Sequence, residues 1–577
     1  GSWAAGQSSG AFTYSYQVHV PETAGGLNPK VALGYSSQTV DGRTSATNNQ
    51  ASWIGDGWDY SAGSITRTYT SCAQDSKTPN ANNKDHRSGD MCWGSHNATL
   101  SLGGSTTELV WDDNKWTTAN GDGSVITQVK DNSSGNGAWR GEYWVVTTRD
   151  GTKYHFGRNR LPGWTDGKPV TNSVLNVPVF GNHANEDCYQ PKFADSSCYQ
   201  GWRWSLDYVE DLHGNAMSFW WEKEGGHYAR NFGWNKPVAY DRGGYLTRID
   251  YGQRASSIFS APAPASVAFS VAERCFDEDG LTCTDANFAS KDPGKYRIWY
   301  DTPADLNCVA GKQCWNANPS FYSRKRLDKI TTSAQRYEHS TARQTVDEYQ
   351  LRQSFPVLKT GPNTALWLES ILRTGYDRAG AAGQKITLNP VRFESNPEDM
   401  PNRVKDDSRP SFSRLRIARV INEYGGETVV SYKAPAVSAR PVKVCPARTT
   451  PPPEVEQPAL LPDLLAPGPG RRGHRLVPQV RGRISRGTAE RLRRARHEDL
   501  VRVRRPRLAP GRRRVLQEVH PDVLAVRRRR PDHRAVRRRR PGHRQPPHQG
   551  RHPLLPGLGD DRTVKDSAGA EIAKDRE

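Results

Sequence analysis

From residue 9 to residue 445, apolar and aromatic side chains return at every second position in short runs, and Gly, Pro, Asn or Asp cuts each run. A period of two puts one row of side chains on one face of a strand, so the rhythm restricts this stretch to β-structure. The opening shows it most plainly. Phe12, Tyr14, Tyr16, Val18 and Val20 alternate, then Val31, Leu33 and Tyr35 do the same, with Pro21, Gly25, Gly26 and Pro29 between them. Alternating runs on both sides of a Pro/Gly break predict two adjacent strands. SWIGDGWDYS (Ser52 to Ser61) follows, a Gly-Asp-Gly turn between two tryptophans.

The rhythm continues along the chain. Ser64 to Thr70, Ala98 to Gly104 and Thr107 to Asp113 read as strands, and Gly141 to Gly157 reads as a hairpin about a short Arg149-Asp150-Gly151 turn, where Asp-Gly favours a tight primed turn. Related units turn at Asp211 and Gly214 within Trp202 to Gly225, and at Asn422, Gly425 and Gly426 within Ile417 to Lys433. In each the glycine supplies a positive φ and the Asp or Asn side chain bonds its own backbone. Three copies this far apart suit a YD-type repeat and ordinary hairpins equally. Further strands are predicted over Tyr245 to Gly252, Ser266 to Cys275, Arg324 to Ser333, Thr345 to Phe355 and Lys385 to Ser395. Only Ala365 to Thr374 has a composition that would also suit a helix. The predicted class is all-β, built from antiparallel hairpins.

FTYSYQVHVPETAGGLNPKVALGYSS followed by WIGDGWDY resembles the opening segment of secreted RHS/YD-repeat proteins, of the kind found in the toxin-complex B component and the virulence-plasmid B protein. WRWSLDYVEDLHGNAM, RGGYLTRIDYG and SRKRLDKITT carry the resemblance through most of residues 1–445. It implies that these hairpins form part of a YD/RHS-type β-shell, a hollow scaffold that carries or delivers a C-terminal toxin domain. The implied partners are the remainder of that shell and its cargo, and the implied role is structural. The chain departs from the family in lacking the tandem GxxxxxxYDxxGRL array, the self-cleaving core segment and a toxin domain.

Nine cysteines fall as Cys72/Cys92, Cys188/Cys198, Cys275/Cys283, Cys308/Cys314 and a single Cys445. No CxxC and no His at zinc-ligand spacing accompany them, so no metal and no cofactor are expected. Close-spaced pairs suit local disulfides in an oxidising, extracellular compartment; buried free thiols in a cytosolic β protein are the other reading. The chain begins Gly1-Ser2-Trp3 without an initiator Met or a signal peptide, which implies that a leader was removed or that the sequence is a piece of a longer one. No run approaches the roughly 18 apolar residues of a membrane span.

Beyond residue 445 the composition changes. Every one of the 17 Trp, 22 Tyr and 14 Phe lies before that point, and most of the formal charge of +20 lies after it. Residues 446–560 are an Arg/Pro-rich low-complexity segment with a near-duplicate AVRRRRPDHR–AVRRRRPGHR (Ala525 to Arg544), and 561–577 form a short remnant that regains Lys. The missing residue types are mostly those with A/T-rich codons, as expected if a GC-rich gene were read out of frame through this interval. The rival is a genuine basic tail that binds nucleic acid through phosphate contacts. Either way the composition predicts disorder.

Chemistry is sparse. GxSxG, HExxH and P-loop patterns are absent. Asn120 to Ser124 and Phe276 to Gly280 place carboxylates before a glycine, as Ca²⁺ loops do, but neither continues to a bidentate Glu. Carboxylates lie beside tryptophan at Asp56 and Asp59 (Trp53, Trp58) and at Asp207 and Asp211 (Trp202, Trp204), a combination that builds sugar sites. The expectation is therefore a non-enzyme. A cell-surface carbohydrate-binding or adhesive β protein is the alternative, with Trp53, Trp58 and Asp56 as its sugar contacts.

Overall fold

The computed structural model describes residues 1–6, 10–43, 50–84, 86–337, 340–358, 364–396, 400–403, 412–432, 501–502, 527–529, 562–565 and 571–575. These residues are mostly antiparallel β-sheet with a few helical turns. They group into two units, Gly1–Arg530 and Pro531–Glu577, and in the second the strand Arg562–Lys565 pairs antiparallel with Glu571–Asp575. The expected boundary at 445/446, and nearly all of the segment expected to be disordered, lie outside the described residues.

The opening alternation forms the expected pair: Phe12–Gln17 and Ala32–Ser36 run antiparallel, with Thr13 opposite Ser36 and Gln17 opposite Ala32. Ser2–Ala5 and Trp58–Asp59 add to the two edges. Phe12, Tyr14, Tyr16, Leu33 and Tyr35 share the buried face, as a period of two requires.

A second set of strands closes on itself. Ser64–Thr66, Ala98–Leu102, Ser105–Asp112, Lys115–Thr118, Val125–Lys130, Glu142–Thr147 and Lys153–Phe156 lead to the long strand Ser197–Glu210. That strand pairs back with the first, Trp204 opposite Ile65. Closure removes two edges that would otherwise template aggregation. Two-residue turns with positive φ join its neighbours, at Gly103 and Gly104 (φ 61° and 80°) and at Asp113 and Asn114 (φ 45° and 57°). Inside this small barrel, Trp116, Trp144 and Trp204 meet edge to face at 5.1 and 6.0 Å.

His155, buried on the barrel wall against the Tyr208 ring at 5.4 Å, is held neutral: burial pushes its pKa down to about 3, helped by Arg158 and Lys153. Only the unfolded chain then takes up a proton between pH 6.5 and 3. The stability that His155 contributes is full above pH 6.5 and falls as the pH drops towards 3, by on the order of 2 kcal/mol at pH 5. Urea unfolding of the wild type and of His155→Gln at pH 7 and pH 5 isolates that contribution: the wild type's stability relative to the variant should fall by on the order of 2 kcal/mol between the two pH values, while buried carboxyls such as Asp207 act alike in both.

From Ser197–Glu210 the chain proceeds as a meander. Asn215–Tyr228, Val238–Arg254, Ala265–Glu273, Lys325–Gln335, Arg343–Ser354, Trp367–Tyr376, Val391–Ser395, Ile417–Ile421 and Glu427–Val429 each pair antiparallel with the one before. Ala365 to Thr374 is thus largely strand, because Leu366, Leu368 and Ile371 bury into a sheet core that composition alone does not reveal.

The related hairpins share one loop form. The amides of Gly151, Gly214 and Gly425 donate to the carbonyls of Thr148, Asp211 and Asn422, and each glycine has a φ between 73° and 81°. Thr148, Asp211 and Asn422 donate in turn to the carbonyls of Thr152, Asn215 and Gly426. That is a type I turn followed by a left-handed residue, so the Asp150-Gly151 loop is one residue longer than the tight primed turn expected for it. At two of the loops the side chain repeats as well. Asp211 Oδ1 accepts from the amides of His213 and Asn215, and Asn422 Oδ1 from those of Tyr424 and Gly426, at 2.8–3.0 Å.

Candidate functional site: the seam between the opening segment and the meander

The opening sheet lays its aromatic face on the last strands of the meander. Phe393 stands between Tyr14 and Trp58, its ring centre 5.6 and 4.7 Å from theirs, and Tyr16 meets Tyr349 at 6.0 Å. Polar contacts fix the register of this packing. The His19 amide donates to the Tyr349 hydroxyl at 2.9 Å, the Ile417 amide to the Tyr35 hydroxyl at 3.2 Å, and the Tyr251 hydroxyl to the Pro21 carbonyl at 2.7 Å. Asn215, at the shared hairpin turn, donates through Nδ2 to the Gly25 carbonyl of the Pro/Gly break.

The segment Ala51 to Asp56 is stitched more tightly still. Arg274, fully buried, donates to the carbonyls of Ala51 and Ser52 and pairs with Asp301 at 2.7 Å. The Leu327 amide donates to the Trp53 carbonyl, Gln353 Nε2 to the Ile54 carbonyl, and the Asp56 amide to the Leu366 carbonyl, all within 2.8 Å. A Cβ on Gly55 would meet the Leu368 backbone nitrogen at 2.9 Å, and the φ there is +153°, so both the close approach and the conformation call for glycine. One short loop thus holds three successive strands of the meander.

This placement corrects the sugar-site expectation. Trp58 is 1 % exposed and Asp56 3 % exposed. Trp58 is packed by Tyr14, Tyr35 and Phe393, and Asp56 pairs with Arg43 at 2.8 Å and with Arg414 at 3.6 Å. Burial pushes the Asp56 carboxyl up while Arg43, Arg414 and Arg416 pull it down. Neither side chain presents a face to a ligand. Trp53 is half-buried against Phe269, with ring centres 6.0 Å apart.

Five other carboxylates weighed from sequence are committed to the protein as well, whereas Asp59 is exposed. Asp207 Oδ2 accepts from the Thr171 and Ser173 hydroxyls and the Asn159 amide, and burial raises its pKa to about 6. Asp211 caps its turn. Asp122 accepts from the Thr118 hydroxyl and the Ser124 amide, Asp277 from the Cys283 amide, and Asp279 pairs with Arg297.

Sequence reasoning missed the ion pair Arg67–Glu142. It is bidentate at 2.7 and 3.0 Å, and the guanidinium lies 4.9–5.8 Å from the ring centres of Trp93, Trp144 and Trp204. Burial opposes the Arg67 charge, and Glu142 and Tyr69 more than offset it, leaving the pKa above its ordinary value. Its two members are 75 residues apart in sequence, so no local spacing marks it.

Four disulfides join Cys72 to Cys92, Cys188 to Cys198, Cys275 to Cys283 and Cys308 to Cys314, with Cα separations of 4.9, 5.8, 6.0 and 5.4 Å. Cys445 lies outside the described residues. Cys72 and Cys92 are fully buried with Phe180 and Phe193. Replacing both by Ala should cost about 3 kcal/mol from the loop-closure term for a loop of this length, with lost packing added to it, read from urea midpoints.

A surface groove of about 500 Å³ is lined by Lys168, Trp220, Arg248, Asp250, Phe259 and Arg343 among others. Its carboxylate Asp250 is bridged by Arg248 at 2.6 Å and Arg343 at 2.9 Å, and no His or Cys lines it. The groove offers no activated nucleophile and no free base. No helix among the described residues is long and apolar enough to cross a membrane.

No protein-family model matches the chain, and no curated protein does. Solved structures do overlap it. TcdB2-TccC3-TEV matches at 12 % identity over 68 % of this chain and 16 % of its own, with a TM-score of 0.35. The Photorhabdus luminescens Tc holotoxin pore matches at 10 % identity over 75 % and 18 %, with a TM-score of 0.36. The N-terminal domain of the effector protein SpvB from Salmonella typhimurium strain LT2 matches at 12 % identity over 63 % and 99 %, with a TM-score of 0.28. The chain therefore spans less than a fifth of the Tc chains it matches, and overlaps at these scores carry no functional inference.

Proposed function

We propose that this chain is a non-catalytic structural part of a secreted RHS/YD-repeat protein, a stretch of β-shell wall that helps to carry or deliver a C-terminal cargo domain. The observation that supports it is the seam. One opening segment ties successive strands of a continuous meander, and the buried polar groups along it are spent on holding strands together. The recurring Asx-and-glycine turn at Asp211 and Asn422 is the local form of a YD-type repeat, and it adds to the resemblance of the opening stretch. Disulfides suit an extracellular wall.

The test is electron microscopy of the full-length product of the gene, read in all frames through residues 446–560. A hollow shell with this region in its wall, and a cargo domain protected from protease, is the expected result. A solid particle, or a robust salt-independent turnover in hydrolase or nuclease assays of this chain, would contradict it. The adhesive alternative rests on Trp53 alone, since Trp58 and Asp56 are buried. A glycan array probed with the full chain should stay blank; binding lost in Trp53→Ala with the fold intact would favour that alternative.

A further inference from the structure

Asp75, His183 and Glu186 come together from two loops that the sequence keeps far apart. Asp75 ends the short helix that starts at Cys72, within the loop closed by Cys72–Cys92, and His183 and Glu186 lie just before Cys188 of the second disulfide. One donor atom from each lies within 4.8 Å of the others. His183 Nδ1 is 3.2 Å from Glu186 Oε1 and 3.7 Å from Asp75 Oδ2.

Contacts outside the three residues fix the orientation of the imidazole. The Thr78 hydroxyl gives its proton to the Asp75 carbonyl at 2.6 Å, so at 2.6 Å from His183 Nε2 it serves as acceptor, and Nε2 carries the hydrogen. Nδ1 is turned towards the two carboxylates. It faces a third oxygen as well, Asn182 Oδ1 at 3.0 Å. That atom's identity is fixed by the rest of its amide: Asn182 Nδ2 donates to Asn83 Oδ1, and Asn83 Nδ2 donates to the Cys72 carbonyl. Asp75 Oδ2, sealed from solvent, accepts no hydrogen bond from any described residue. A ring nitrogen facing three oxygens, one of them sealed and unbonded, calls for a positive centre among them, either a proton on Nδ1 or a metal ion.

We propose that this centre is a divalent metal ion of the zinc class, held by His183 Nδ1, Asp75 Oδ2 and Glu186 Oε1. An imidazole with two carboxylates suits zinc, whereas calcium takes oxygen donors. Thr78 sets the tautomer of the ligating ring, as outer partners of metal-bound histidines do. The ion would clip the two disulfide loops to each other. In sequence the only trace is His183-x-x-Glu186, too short a pattern to be read without Asp75.

The full, oxidised chain, stripped with a chelator, is titrated with zinc chloride by calorimetry and followed by thermal unfolding. One equivalent should bind with a dissociation constant in the micromolar range or tighter and raise the unfolding midpoint. His183→Gln and the milder Glu186→Gln should each weaken binding at least tenfold while circular dichroism stays unchanged. Cobalt(II) should give a visible d–d band in the wild type, so the wild-type measurement stands even if a variant fails to fold. No stoichiometric binding would overturn the proposal. Binding that persists in both variants would also overturn it.

Discussion

Trp58→Ala is expected to destabilise the protein by about 3–5 kcal/mol, the range for emptying a buried tryptophan site. The residue is 1 % exposed, and its indole meets Phe393 at 4.7 Å, Tyr35 at 5.5 Å and Tyr14 at 6.1 Å. Those neighbours come from the opening sheet and from the meander, so neither side can collapse into the space without breaking the packing between them. Urea unfolding should show a lower midpoint, and protease should cut strands on both sides of the seam. Trp58→Phe, which keeps an aromatic ring there, should cost clearly less. Equal losses for the two changes would mean that ring packing is not what matters at this position.

The second large effect is expected at Arg67 and Glu142. Their side chains are 1 % and 6 % exposed and joined by two hydrogen bonds. Removing one member leaves a buried charge without its partner, so Arg67→Met or Glu142→Gln alone should each cost about 3–5 kcal/mol. The double change removes both charges and should cost less than the sum of the two. Gln128, which donates to Glu142 Oε1 at 2.8 Å, can still donate to an amide oxygen in Glu142→Gln, which limits the loss in that variant. Tryptophan fluorescence reports the transition directly, because Trp144 and Trp204 line the pair. Additive losses in the double-mutant cycle would show that the two groups do not act together.

Much of the architecture is legible in the sequence because it is periodic and local. The alternation of Phe12, Tyr14 and Tyr16 is enough by itself to name a buried face, and Asp211 and Asn422 announce their turns through bonds to residues two and four positions on. What stays hidden depends on distant partners. WIGDGWDY has the look of a surface turn, yet Arg43 and Arg414 converge on Asp56 and the meander covers Trp58. Ala365 to Thr374 fits a helix by composition, but burial between neighbouring strands of a sheet outweighs propensity. Arg67 in SITRTYT gives no sign of Glu142, nor does His183 of Asp75, because which distant residues meet follows topology rather than spacing.

The claim on which the rest depends is that the opening segment ties the meander into one wall. Amide hydrogen exchange of the full oxidised chain, wild type against Trp58→Ala, tests it most directly. The account predicts that Phe12–Gln17, Arg343–Ser354 and Trp367–Tyr376 lose protection together, while Glu142–Thr147 in the small barrel keeps its own. Loss confined to the opening strands, with the meander as protected as in the wild type, would contradict it.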